Sequence, residues 1–186
     1  MEYTFTFTSG RPALDFVGTL QRRRKDAPVE LLTSPDDLDS WFRESGVAPG
    51  STSCRPSDVE QAVALREAIH SLVTARIAND SFGESALVLV NLAARNPPAI
   101  PQLTAVGRQI EASPEQALSS VARDAIDILS GPEGRLLKEC ARPGCTQVYI
   151  DHSRGARREW CAMDPCGNNM KAAAYRARKR SAVPVS

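Results

Sequence analysis

Four of the five cysteines in this 186-residue chain form two matched pairs near its end, Cys140 with Cys145 and Cys161 with Cys166. Four residues separate the members of each pair, and fifteen separate the pairs. Two short cysteine loops at this separation can converge on one tetrahedral Zn²⁺, whose preferred ligands are thiolates. Pro143-Gly144 in the first loop and Asp164-Pro165 in the second suit tight turns, and Gly167 lets the backbone pass close to a ligand sulfur. Disulfides would need an oxidising compartment, to which no feature of the chain points. Free buried cysteines would not produce matched pairs flanked by turn residues. Four thiolates close the tetrahedron and leave no position for water, so the metal expected is one structural Zn²⁺ per chain.

Cations crowd around these pairs. Arg154, Arg157 and Arg158 lie between them, and Lys171, Arg176, Arg178, Lys179 and Arg180 follow on a segment free of Gly and Pro from Met170 to Arg180. That segment reads as a helix, with Asn168 as its expected N-cap. Met170, Ala173, Ala174 and Ala177 form a small-residue face suited to packing on a zinc-bound hairpin. Lys171, Tyr175 and Arg178 share a neighbouring face, with Tyr175 the one aromatic able to stack. From Arg135 onward the chain holds 11 Lys+Arg against 4 Asp+Glu; before it, 12 against 18. A net charge of +1 thus conceals an acidic body and a basic tail. The tail remains at about +5 after the net −2 of a zinc–tetrathiolate centre is counted. Such asymmetry suggests a polyanion partner, with the arginines on phosphates and helix side chains at base edges.

The run from Cys140 to Arg180 resembles the CGNR zinc finger, a bacterial C-terminal domain. The resemblance rests on the C-x4-C pair, the D-x-S-R segment (Asp151, Ser153, Arg154), the R-R-x-W-C segment (Arg157 to Cys161), and C-G-N before a basic helix. Asn169 stands where the family's name has Arg. In that family the finger usually follows an ABATE domain. Gly10 to Leu20 (G-R-P-A-L-D-F-V-G-T-L) and Glu30 to Trp41 (E-L-L-T-S-P-D-D-L-D-S-W) look like that domain. The resemblance implies a stress-induced transcription regulator.

The elements that must carry this tail read as follows. Alternation from Tyr3 to Thr8 predicts a strand with its aromatic face inward. Pro12 opens a short helix with Leu14, Phe16, Val17 and Leu20, on which Asp15 is expected to be solvated or capping. Arg22 to Lys25 reads as a solvated basic loop. Ser34-Pro35-Asp36-Asp37 starts a helix with Leu38, Trp41 and Phe42 inward. Ser57 to Glu60 reads as a capping box opening the longest helix, with Val59, Val63, Ile69, Leu72, Val73 and Ile77 inward and His70 structural. Cys54, in the preceding loop, is expected to be a free thiol. A helix spans Glu84 to Arg95. Leu103 to Val106 and Arg108 to Ala112 are possible strands to pair with Tyr3 to Phe7. Ser113 caps a helix that ends at Ser130-Gly131-Pro132, and Leu136 to Glu139 and Gln147 to Ile150 can form a hairpin around the first cysteine pair.

The expected architecture is α+β: a mostly helical domain with a small antiparallel sheet, residues 1–131, followed by a zinc module of hairpin plus helix, residues 132–186. No apolar run is long enough to span a membrane, and the first residues lack the features of a signal peptide, so a cytoplasmic protein is expected. No G-x-S-x-G, P-loop, dinucleotide or H-E-x-x-H motif occurs, so no enzyme is expected. Duplex DNA is the expected partner, with the larger domain sensing a small-molecule effector or forming a homodimer. Two rivals are an effector-binding protein whose zinc module only clamps domains or subunits, and an RNA-binding protein.

Overall fold

The longest helix sits at the centre of a layered helical body, because its buried positions meet most of the other elements. In the computed structural model, which describes residues 4–181, the elements are α1 (Pro12–Val17), β1 (Leu20–Gln21), β2 (Val29–Glu30), α2 (Pro35–Glu44), α3 (Pro56–Ala78), α4 (Glu84–Ala94), β3 (Ile100–Thr104), β4 (Gly107–Glu111), α5 (Pro114–Ser130), β5 (Leu137–Glu139), β6 (Val148–Ile150) and α6 (Asn168–Ser181). α3 packs on α1, α2, α4, α5 and β5. The fold class is the expected α+β, but the strands form three separate antiparallel ribbons rather than one sheet.

Helix starts follow local chemistry. Pro occupies the first turn of α1, α2, α3 and α5, where a missing N–H costs nothing. Ser34 Oγ accepts from the Asp37 N–H, and Ser113 forms a full capping box with Gln116. α3 begins slightly earlier than Ser57: its cap is Arg55, whose N–H donates to Asp58 Oδ2 at 2.7 Å. Its inward stripe is Ala62, Leu65, Ala68, Ile69, Leu72 and Val73, with Val59 and Val63 half-buried and Ile77 exposed. Leu20 falls in β1, beyond the end of α1. Asp15 is buried rather than solvated, and accepts from the Ser9 N–H at 3.0 Å. Cys54 is a free, half-buried thiol.

The expected strand from Tyr3 to Thr8 does not form: Tyr3 lies outside the described residues, and Thr4 to Thr8 pair with no strand. The aromatic alternation reports a different contact. Phe7 lies 6.5 Å from the Trp41 ring, which also meets Phe16 at 4.8 Å and Phe42 at 5.8 Å. β3 and β4 accordingly pair with each other, Thr104 opposite Gly107 across a two-residue loop. Closing so short a loop costs far less entropy than recruiting a segment from the other end of the chain.

Arg66 is buried inside this body, 1 % exposed, and is held by Glu30 Oε1 and Oε2 and by Glu67 Oε1. Burial pushes the Glu30 carboxyl up, but the Arg66 guanidinium outweighs it and holds Glu30 below the usual carboxylate range. Arg23 pairs with the same Glu67 and Arg24 with Glu139 of β5, so part of the basic run 22–25 ties elements together, while Arg24 and Lys25 are exposed to solvent as expected of that loop.

Candidate metal centre and basic helix

The hairpin β5–β6 is the wall between the helical body and the cysteine loops. Its register sets Leu137 opposite Ile150, Lys138 opposite Tyr149 and Glu139 opposite Val148. Side chains alternate across a strand, so Val148 and Ile150 join Leu137 in the main core while Tyr149 enters a second cluster with Cys140, Cys161 and Cys166. All three residues of β6 are buried. Gln147, just before it, reaches the C-terminal cap of α1: its Oε1 lies 2.3 Å from where a Cβ on Gly18 would stand. The finger is therefore built into the body.

The four cysteine sulfurs converge, all lying within 4.8 Å of one another. Cys145 is 3.9 Å from Cys161, Cys161 is 3.5 Å from Cys166, and Cys166 is 3.8 Å from Cys145. A disulfide requires about 2.0 Å. A tetrahedral ion with Zn–S bonds of about 2.3 Å requires sulfurs roughly 3.8 Å apart, close to the three spacings among Cys145, Cys161 and Cys166, with Cys140 within 4.8 Å of each. The donor set is that of one structural Zn²⁺, and among the described residues no fifth His, Cys, Asp or Glu joins the group. Three of the four sulfur-bearing residues are buried and Cys145 is half-buried.

Without a cation the cluster cannot ionise together. The hydrogen bond from Cys161 holds the Cys145 thiol down to about 5, while Cys161 is driven up by that same hydrogen bond and by burial. Burial and the Cys145 charge push Cys166 up to about 12. Zn²⁺ supplies the positive charge that lets all four thiolates coexist.

Local chemistry shapes each loop. Cys145 N–H donates to Arg142 O at 3.0 Å, closing the first turn, and Cys140 N–H donates to Gln147 O at 3.0 Å. In the second loop Gly167 lies under Met163 and Trp160; a Cβ there would meet Met163 Sδ at 2.9 Å. Asp151, 1 % exposed, organises the segment between the loops. It accepts from Lys138 Nζ at 2.7 Å and from the N–H groups of Ser153 and Arg158 at 3.0 Å each. Burial raises the Asp151 carboxyl, but these donors, the Lys138 ammonium foremost, hold it well below the usual range.

The arginines of this segment divide. Arg158 turns inward: its Nε donates to Trp160 O at 2.7 Å, Nη2 donates to Cys161 O, and the guanidinium lies 4.5 Å above the Tyr149 ring, whose hydroxyl donates to Arg158 O at 2.8 Å. Arg154 and Arg157 are exposed. Asp151 and the inward role of Arg158 were not separable by sequence reasoning, because D-x-S-R and R-R-x-W-C carry no mark of which groups turn inward.

α6 departs from expectation in two ways. Asn168 is not a cap: it has helical angles, φ −63° and ψ −43°, and continues a turn over Met163–Gly167 that closes the second cysteine loop. Nor does the alanine face pack on the hairpin. Met170 is half-buried, but Ala173, Ala174 and Ala177 are exposed, as is every residue from Lys171 to Arg180. The reason is size: methyl groups offer too little apolar area to hold down a helix whose other positions carry cations. Lys171, Tyr175, Arg176, Arg178, Lys179 and Arg180 therefore all face solvent, with Tyr175 61 % exposed. Asn169 is exposed at the start of the helix. No helix of the described residues is long and apolar enough to cross a membrane.

Two family models match consecutive parts of the chain. The ABATE model, described as "Putative stress-induced transcription regulator", covers residues 10–132, and the CGNR zinc finger model covers residues 136–179. No curated protein matches the chain.

Proposed function

We propose that this chain, which belongs to the ABATE family of transcription regulators and carries a CGNR zinc finger, regulates transcription by binding duplex DNA through that finger. The observation that carries the reading is α6, a helix anchored at one end beside the metal centre and exposed along its whole basic length. A helix of this width fits the major groove, where Lys171 and Tyr175 reach base edges while Arg176, Arg178, Lys179 and Arg180 meet phosphates. Arg154 and Arg157 add phosphate contacts from the segment between the cysteine loops. The zinc contributes rigidity and no chemistry, so the protein acts by binding and not by catalysis. The helical body senses a signal or brings copies together.

Fluorescence anisotropy with duplex DNA at two salt concentrations tests this. Affinity should fall with salt by about 0.9 log units per log unit for each phosphate contact. An Arg154→Ala, Arg157→Ala, Arg176→Ala, Arg178→Ala variant should lose roughly that slope per contact removed. Salt-independent binding, or equal binding by the variant, would sink the proposal. Competition with structured RNA separates the RNA reading. The finger's burial against the body gives the clamp reading some support, since Leu137, Val148 and Ile150 belong to the main core. A clamp, however, has no use for an exposed basic helix.

A further inference from the structure

α4 is strongly apolar, yet it fully buries only Ala86 and Val90. Val88 is 59 % exposed, Leu89 42 % and Leu92 58 %. At about 100° per residue, Glu84, Val88, Leu92 and Arg95 line one ridge opposite the Ala86/Val90 face. The ridge thus reads acid, apolar, apolar, base from one end to the other. Neither Glu84 nor Arg95 forms an ion pair with another described residue.

We propose that this ridge docks against the same ridge of a second copy, antiparallel across a two-fold axis, with Glu84 of each chain facing Arg95 of the other. The argument for a second copy is that the ridge is complementary to itself. The midpoint of Glu84 and Arg95 falls between Leu89 and Val90, and that of Val88 and Leu92 falls at Val90. The two midpoints differ by half a residue, about 0.8 Å along a helix. One axis therefore pairs both sets at once, the relation a two-fold interface requires. A parallel arrangement would set Glu84 against Glu84. Leu92 and Arg95 of the ridge also border a groove of about 260 Å³ whose floor carries Leu65, Leu89 and Leu118 and whose rim carries Gln61, Asn96 and Glu115, open to a side chain from the partner. A contact one short helix long is small, so the dimer exchanges with monomer in the concentration range of transient interfaces. The pairing stands whether or not α6 binds DNA.

Sedimentation equilibrium of the full zinc-loaded chain, over about a hundredfold range of concentration, tests it. The wild type should dimerise reversibly. Leu92→Glu should weaken the dimer about a hundredfold. Glu84→Arg should weaken it about tenfold by opposing two like charges, and Glu84→Arg with Arg95→Glu should return it to within about threefold of wild type. These positions are exposed, so circular dichroism and zinc content should stay unchanged in every variant. A wild type that stays monomeric overturns the proposal, as does a dimer indifferent to Leu92→Glu. A dimer lost in Leu92→Glu and weakened in Glu84→Arg, but not restored by the charge exchange, overturns the antiparallel pairing.

Discussion

Arg154, Arg157 and Arg158 stand within five positions of one another and serve two purposes. Arg158 spends its donors on the carbonyls of Trp160 and Cys161, beside a metal ligand. Arg158→Ala should weaken the finger by about 3 kcal/mol, from lost charge-assisted hydrogen bonds and the Tyr149 stack. That is on the order of a hundredfold in zinc affinity, readable by competition with a chromogenic chelator. Arg154→Ala and Arg157→Ala should leave zinc affinity unchanged. The ligands themselves give a sharper outcome: purified wild type should hold one zinc, and Cys161→Ala with Cys166→Ala none, by native mass spectrometry. Acid acts in the same direction. Protons compete for the free thiolates, above all Cys161 and Cys166, which are pushed up, so zinc is retained at neutral pH and released as pH falls. The four ligands were legible in the sequence because paired spacing is itself a geometric statement. The split among the arginines was not, since it depends on where Tyr149 and the Cys161 carbonyl lie after folding.

At the scale of elements, boundaries set by Pro, Ser and capping acids were legible, as for α2 and α5. Elements whose fate depends on a distant partner were not. Thr4 to Thr8 has strand alternation but spends Phe7 on Trp41, and α6 has a small-residue face with no hairpin to receive it. The link between α3 and β2 was also hidden, because an arginine in an apolar stripe looks like an interruption. Arg66 instead fills the core with its charge satisfied by Glu30 and Glu67. Breaking such a pair from one side costs more than replacing the buried charge. Glu30→Ala should therefore lower stability by about 3 kcal/mol, and Arg66→Met by clearly less, since Glu30 and Glu67 can then turn to water. Urea denaturation at neutral pH measures both; equal losses would show that the packing of Arg66, not its charge, matters.

The molecule as a whole has two centres, one apolar and one metallic, that share β5 and β6. Leu137, Val148 and Ile150 bury against the helices while Tyr149 buries against the cysteines. Loss of three such side chains costs about 5 kcal/mol, comparable with the entire stability of a small domain. A chain ending at Gly131 should keep helical content but unfold at a much lower urea concentration than the full protein, and a chain ending at Asp151 should regain most of the difference. If both shortened chains melt alike, the hairpin adds nothing to the body. Zinc removal from the full chain should likewise lower the melting temperature of the helical body, because the metal holds the other face of the same hairpin.

α6 has a thermodynamic consequence of its own. A helix of 14 residues with one anchored turn sits near the length at which nucleation is barely repaid in water. Its burial ends at Met170, so the remaining turns depend largely on intrinsic propensity and on the cations at its C-terminal end. A ligand that holds this segment straight must therefore supply ordering free energy as well as contacts, and tight binding would come with a large unfavourable entropy. For such a ligand the finger would serve as a fixed nucleus that keeps the helix in register.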